Sequence, residues 1–258
     1  MMRREYVREK SAAATWSLRP AVFAPVLAIV ATIAHRTGAL GTQSFLLVLI
    51  AAFAIALAAF CLALLGFSDL WRNSAIGGRR SALALALSLP VLAPAAMAGY
   101  LSQVTAPLSD ISTDALDPPH FALPLTLIPG GNINEPPRLD ETIQDKFYPD
   151  LAGRRYPLSA DSIIVDVMTV IDDKGWQLKA PSAQSNGDTD WVIEASVKSA
   201  LFGFVDDVVI RVTDEGEAAY VDMRSATRFG RNDLGANARR IADFMNDLDV
   251  RVQAAAGK

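Results

Sequence analysis

The sequence is poor in the side chains on which most catalysis and metal binding rely. Its 258 residues include one cysteine and two histidines. Cys61 lies inside an apolar run, so a disulfide within the chain and a thiolate metal site in the polar half are excluded. No histidine or cysteine follows Tyr148, which excludes histidine-based triads, cysteine nucleophiles and typical zinc sites from that part. We therefore expect no cofactor and no bound metal.

The sequence also lacks an excess of positive charge. Its formal net charge is -4 at pH 7. Nucleic-acid binding depends on a basic surface that neutralises phosphates, so a general nucleic-acid-binding role is excluded. The sequence contains no glycine-rich phosphate loop, no GxSxG motif and no internal repeat.

Three uncharged apolar runs fill most of the first hundred residues and predict membrane spans. Residues 45–67 and 82–101 are each long enough to cross a hydrocarbon core of ~30 Å as a helix. Pro90 and Pro94 should kink the later of these two helices. Residues 21–34 are short for a span, and a signal peptide is the alternative interpretation of this run. No ionisable residue lies mid-span, which favours an anchor over a channel or transporter.

The distribution of charge predicts the orientation of these spans. Basic residues precede the first run and occupy the loop between the second and third runs: Arg3, Arg4, Arg8, Lys10, Arg19, Arg72, Arg79 and Arg80. After the third run come Asp110, Asp114 and Asp117 instead. The positive-inside rule therefore places the N-terminus in the cytoplasm and the C-terminal part outside it. We predict a protein of the bacterial inner membrane with a periplasmic or other extracytoplasmic domain.

The composition divides the chain into three parts. Residues 1–104 form the membrane anchor, 105–149 a proline-rich extended linker, and 150–258 a soluble α+β domain. The linker holds eight prolines and a Gly130-Gly131 turn, so we expect irregular chain rather than helix or sheet. Its apolar side chains need burial and predict that it packs across the domain: Phe121, Leu123, Leu125, Leu127 and Ile128.

The predicted order of elements in the soluble domain is one helix, four strands and a second helix. Ser159 is the expected N-cap of the first helix and Gly175 its end. Asp233 is the expected N-cap of the last helix, which runs from Leu234 to about Arg251. The predicted strands are residues 176–180, 190–198, 204–213 and 218–227, separated by turns at Asp188, Gly203 and Glu215-Gly216. Short connections between consecutive strands predict an antiparallel sheet, with both helices on one face in two layers.

Two adjacent aspartates interrupt the apolar third strand. Adjacent strand residues point to opposite faces, so Asp206 should share the core face with Val208. A buried carboxylate needs a partner. The candidates are Arg224, Arg228, Arg231 and backbone N–H groups near Gly203. The opposite face should carry a cross-strand ladder of charges: Glu194, Asp207, Arg211, Asp222 and Arg224.

Two segments around these residues carry a family resemblance. FGFVDDVVIRV and VDMRSATRFGRNDLGANARRI resemble the bacterial family catalogued as domain of unknown function 1499. The resemblance covers about Asp110 to Leu248, and the Asp-Pro-Pro stretch at Asp117 is similar to that of membrane-anchored members. Some relatives carry a cysteine-containing motif at the start of the domain, which this chain lacks. The resemblance implies no activity.

The polar cluster has three interpretations. The first is a buried Asp206–Arg228 salt bridge, with Asp233 as a helix cap and Asn237 and Arg240 on the helix surface. The second is an anion site in which arginines converge on the N–H groups of the last helix. The third is a metal site of carboxylates, which the nearby arginines disfavour. The candidate ligand-binding residues are Asp206, Asp207, Arg224, Arg228, Arg231, Asp233, Asn237 and Arg240.

These observations leave three hypotheses for function. The first is a non-catalytic, membrane-anchored module that binds an anionic small molecule, a lipid head group or an envelope protein, and no nucleic acid. The second is a hydrolase in which Asp206 or Asp207 is the general base and Arg228 stabilises charge. The third is a purely structural component of the envelope.

Overall fold

The structure, a computed structural model, describes residues 9–122, 139–182 and 190–256. The chain divides into two compact units, Met1–Tyr100 and Leu101–Lys258. The expected burial of Leu123, Leu125, Leu127 and Ile128 falls outside the described residues. The same holds for the expected turns at Gly130-Gly131 and Asp188.

Three long helices account for the first unit. They are α1 (Ala12–Arg36), α2 (Thr42–Asn73) and α3 (Gly78–Val104), the last of which continues into the second unit. Each is long and apolar enough to cross a membrane, which indicates membrane association. The helix α1 begins well before the apolar run 21–34, because the Ser11 side chain accepts a hydrogen bond from the Ala14 N–H and caps it.

Small side chains let these helices approach closely. One buried cluster consists of Ala21, Ala59, Ala63 and Ala84. A Cβ atom on Gly66 would lie 2.9 Å from the Cα of Ala14, so only glycine fits there. The segment before α1 also pairs with the α2–α3 loop, since the N–H of Ser11 donates to the Ile76 carbonyl at 3.0 Å. Lys10 and the basic α2–α3 loop therefore lie at the same end of this unit.

The second unit combines an antiparallel sheet with helices, as predicted. Its strands are β1 (Asp110–Ser112), β2 (Arg154–Tyr156), β3 (Gln177–Ser182), β4 (Asp190–Lys198), β5 (Val205–Asp214) and β6 (Ala219–Thr227). Its helices are α4 (Glu141–Phe147), α5 (Ala160–Asp173) and α6 (Ala236–Ala256). The sheet order is β1-β6-β5-β4-β3, and β2 also pairs with β6. The four predicted strands correspond to β3 through β6, and the mixed α+β class is confirmed.

The predicted linker contains secondary structure that the sequence did not reveal. The strand β1 pairs with residues 224–226 of β6, and α4 begins after Asp140, whose side chain accepts from the Ile143 N–H at 3.1 Å. Both elements are too short to show a periodicity, and prolines surround them. Gln144 of α4 is bound to the backbone of Ser112, accepting from its N–H at 3.1 Å and donating to its carbonyl at 2.6 Å. The expectation of irregular chain was therefore wrong for these residues.

The last helix begins two residues later than predicted. Leu234 and Gly235 have positive φ angles of 56° and 74°, so neither can belong to a right-handed helix. A Cβ atom on Gly235 would also lie 2.9 Å from the Thr105 side chain. The first helical residue is Ala236.

The core lies between one face of the sheet and the helices α5 and α6. Its largest fully buried side chains include Ile163, Ile171, Ile210, Met223, Ile241, Phe244, Met245 and Leu248. Trp176 packs on this core, with its ring 5.6 Å from that of Phe244. Ala106 and Leu108, which precede β1, are fully buried in the same core. The domain core thus begins with residues that directly follow α3.

A soluble fragment of residues 105–258 should therefore be more stable than one of residues 110–258. The shorter fragment lacks Leu108, whose loss should cost about 2–5 kcal/mol. It also lacks the Ser109 carbonyl that accepts from the Thr227 N–H at 2.8 Å. Urea unfolding followed by tryptophan fluorescence gives both free energies of unfolding. Equal values would show that residues 105–109 add nothing to the core, and a fragment that begins at Leu101 serves as the control.

Candidate functional site

The strand β5 places its two aspartates on opposite faces of the sheet. Asp206 is 5% exposed and lies on the core face with Val208 and Ile210, as predicted. Asp207 lies on the other face with Val209 and is fully buried as well. Both carboxylates are therefore removed from water, and each needs an internal partner.

The partner of Asp206 is Arg240 of α6. The predicted pair of Asp206 with Arg228 is wrong, because Arg228 lies on the same face as Asp207. Arg240 also donates to the Ser225 hydroxyl at 2.7 Å and to the side-chain oxygen of Asn237. Burial raises the pKa of the Asp206 carboxyl above its ordinary value, and the guanidinium of Arg240 offsets this only in part.

Asn237 is a fully buried junction between α6, β6 and the segment before β1. Its amide nitrogen donates to the Ser109 carbonyl at 3.1 Å and to the Thr227 hydroxyl at 3.0 Å. Its amide oxygen accepts from the Ser225 hydroxyl at 2.9 Å and from Arg240. All four hydrogen-bonding positions of the amide are thus in use.

The expectation that Asn237 and Arg240 lie on the helix surface was wrong. Asn237 precedes Ile241 by four residues, and Arg240 precedes Phe244 by four, so both belong to the apolar stripe of α6. That spacing is the signal in the sequence that would have identified them as core residues.

Asp233 caps the start of α6, as the first interpretation held. Its carboxylate accepts from the N–H of Gly235 at 2.9 Å and from the N–H of Asn237 at 2.6 Å. Burial raises the pKa of Asp233, while these two hydrogen bonds lower it. The carboxylate therefore occupies the position that an external anion would take at this helix end.

The arginines do not converge on that helix end. Arg224 and Arg228 lie on the opposite face of the sheet, and Arg231 is exposed in the turn between β6 and α6. Arg228 forms a bidentate pair with Asp207, at 2.7 and 2.8 Å, and Lys179 of β3 contacts the same carboxylate. The candidate residues other than Arg231 are thus divided between two separate internal networks.

The second network extends along the face of the sheet that carries Asp207. Arg224 forms a bidentate pair with Asp110 of β1, at 2.7 and 3.0 Å. Arg211 pairs across the strands with Asp222 at 3.0 Å. The predicted cross-strand ladder of charges is confirmed in this Arg211–Asp222 pair, and its other members take partners outside β4, β5 and β6.

Residues 113–122, here called the strap, cover part of this charged face. Arg211 donates to the Asp117 carboxylate at 3.0 Å and to its carbonyl at 2.9 Å. Arg224 donates to the Pro119 carbonyl at 3.2 Å, and its guanidinium lies 5.3 Å from the centre of the Phe121 ring. The charged ladder therefore fastens the strap to the sheet.

Asp222 is the least satisfied carboxylate of this network. It is fully buried, and within the described residues its Oδ1 atom has no hydrogen-bond partner. Burial raises the pKa of Asp222 to about 6, although Arg211 lowers it, and Asp114 and Asp190 add repulsion. A group of three or more His, Cys, Asp or Glu side chains arranged to hold a metal does not occur in the described ranges.

Comparison with known proteins gives one family. Residues 110–248, more than half of the chain, match the family described as "Protein of unknown function (DUF1499)". The matched residues include every strand of the sheet and α6 as far as Leu248, while the three apolar helices precede them. No curated protein matches the sequence. The resemblance seen in the sequence is thereby confirmed.

Replacing Arg240 should unfold the domain far more readily than replacing its exposed neighbour. Arg240→Ala leaves Asp206 buried without its ion pair, which should cost about 3–5 kcal/mol. To the described residues, the exposed Arg239 side chain donates one long hydrogen bond, to the Leu234 carbonyl at 3.3 Å, so Arg239→Ala should cost less than about 0.5 kcal/mol. Urea unfolding of the 105–258 fragment measures both. Equal costs would show that the Asp206–Arg240 pair does not hold α6 to the sheet.

Asp222→Asn should change how stability depends on pH. The folded domain retains the Asp222 proton up to about pH 6, whereas the unfolded chain loses it near 3.8. Folding therefore becomes less favourable as pH rises through this window, by about 3 kcal/mol at most. The difference in unfolding free energy between the wild type and Asp222→Asn should fall between pH 4 and 7. A difference that is constant with pH would contradict the raised pKa.

Proposed function

Since the chain belongs to the DUF1499 family, for which no function is described, we propose its function from the geometry of its site. It is a membrane-anchored, non-catalytic module whose extracytoplasmic domain assembles with a protein partner of the bacterial envelope. The single observation that carries this proposal is that the charged residues expected to bind a ligand, apart from the exposed Arg231, are engaged in bonds inside the fold.

A hydrolase is less well supported by this arrangement. A general base needs a lone pair directed at a cleft where a substrate proton can reach it. Asp206 is bound by Arg240, while Asp207 is bound by Arg228 and Lys179. Asp233 accepts two backbone N–H groups. The carboxylate oxygens that a general base would direct at a substrate thus accept hydrogen bonds that hold strands and a helix together.

An anionic ligand is also less well supported than a protein partner. The positive charges of Arg224 and Arg228 are neutralised by buried carboxylates, and the start of α6 is capped by Asp233. A partner protein instead needs accessible side chains. Leu116 of the strap, Leu201 between β4 and β5, and Val250 of α6 are 81%, 59% and 68% exposed. We propose these three exposed apolar side chains as the positions of contact with the partner.

The proposed location follows from charge. The pairing of Ser11 with Ile76 supports a common side for the two basic segments, as the positive-inside rule requires. That side is the cytoplasm of a bacterial cell in this proposal. Three spans then place the second unit on the periplasmic or other outer side of the inner membrane.

One labelling experiment tests both location and assembly. In a Cys61→Ala background, Leu201→Cys in intact cells with a permeabilised outer membrane should react with a membrane-impermeant maleimide. Arg79→Cys should not react until the inner membrane is opened. A photoreactive group on the Leu201→Cys thiol should then give a discrete protein adduct, which the same group at the buried position of Val209 should not give.

Two results would contradict the proposal. Labelling of Arg79→Cys rather than Leu201→Cys in intact cells would reverse the topology. The absence of any adduct from positions 116, 201 and 250, together with thermal stabilisation by millimolar phosphate, would favour the anion-binding alternative.

A further inference from the structure

A basic pocket lies at one end of the three apolar helices, far in sequence from the polar cluster of the domain. It is lined by Lys10, Ile76, Gly77, Gly78, Arg79 and Arg80 and has a volume of about 270 Å³. Lys10 comes from the segment before α1, while the other residues come from the α2–α3 loop and the start of α3. Two chain segments thus bring three cationic side chains to one cavity.

The cations of this pocket differ from those of the domain. Among the described residues, no aspartate or glutamate lines the cavity. Over the part of the chain that the structure describes, neither Lys10 nor Arg79 forms an ion pair, and Arg80 makes one hydrogen bond, to the Thr15 hydroxyl at 3.0 Å. All three side chains are exposed. Among the described residues no carboxylate is paired with these three cations, although Glu9 and Asp69 line an adjoining cavity with Lys10, and the positive charge of the pocket attracts an anion.

The backbone around the pocket is held in place before any ligand arrives. The Ile76 N–H donates to the Glu9 carbonyl at 2.8 Å, and the Ile76 carbonyl accepts from the Ser11 N–H at 3.0 Å. A Cβ atom on Gly77 would lie 2.6 Å from the Cβ of Ala14, so the loop can approach α1 only with glycine here. Because the segments are already fixed, little ordering would accompany binding.

We infer that the basic pocket binds the phosphate of an anionic phospholipid, such as phosphatidylglycerol, in the leaflet on the basic side of the membrane. This inference rests on the proposed insertion of α1, α2 and α3 in a bilayer. Residues that flank the ends of spanning helices lie at the depth of the lipid head groups. A phosphodiester accepts hydrogen bonds from Lys and Arg, while the cationic ammonium group of a zwitterionic head group is repelled by them.

Native mass spectrometry of the delipidated full-length chain in detergent tests the inference. We expect phosphatidylglycerol to bind at least about 10-fold more tightly than phosphatidylcholine, because each basic residue near the head group contributes roughly fivefold. Lys10→Gln with Arg79→Gln should abolish this preference. Neither side chain bonds to another described residue, so the fold should persist. Arg19→Gln with Arg72→Gln removes equal charge outside the pocket and should leave the preference within about twofold.

Each alternative outcome is distinct. An equal loss in both double variants would overturn the inference, since diffuse charge alone would then explain the preference. Displacement of the lipid by millimolar inorganic phosphate would also overturn it, because the site would then take a free anion. The variant Lys10→Gln with Arg79→Lys keeps a positive charge at position 79. A lipid preference in this variant that Lys10→Gln with Arg79→Gln lacks would support the inference. Release of the chain from vesicles by alkaline carbonate would contradict the proposed membrane insertion itself, independently of lipid preference.

Discussion

The sheet domain depends on one constraint, the burial of Asp206 and Asp207 on the two faces of the same strand. A strand that carries adjacent carboxylates can be buried on both faces only if each face supplies its own cation. The core face supplies Arg240 from α6, and the other face supplies Arg228 and Lys179. The pairing thereby fixes where α6 crosses the sheet and how β3, β5 and β6 align at this end. Much of the unusual charge of these strands is accounted for by this requirement.

The two networks stabilise different parts of the domain. The core-face network joins α6 to β6 and to the residues that follow α3, through Asn237 and Ser109. The network on the other face fastens β1 and the strap to the sheet, through Asp110, Asp117 and their arginines. Residues that the sequence suggests as a ligand site therefore act as attachments between segments distant in the chain. This division explains why a dense group of charges can coexist with a closed interior.

Much of the fold could be predicted from the sequence, and the partners of its charges could not. The strands β3 to β6 have enough residues to show alternation, and α5 has a clear apolar stripe, so local patterns were sufficient there. The strand β1 has three residues and forms by pairing with β6. Local sequence patterns do not predict that pairing. The alternation rule placed Asp206 on the core face correctly. It could not show that Arg240 of α6, rather than Arg228 just after β6, would reach Asp206, because that choice depends on how α6 crosses the sheet.

The side chain of Gln144 has a consequence for the behaviour of the domain at high concentration. The edge of a sheet presents unpaired N–H and C=O groups to which a strand from another molecule can add. The side-chain amide of Gln144 forms hydrogen bonds with both the N–H and the C=O of Ser112, as a neighbouring strand would. The edge of β1 at Ser112 is thereby closed to the addition of a strand from another molecule. A protein crowded on a membrane surface, where copies meet often, would benefit from such a terminated edge.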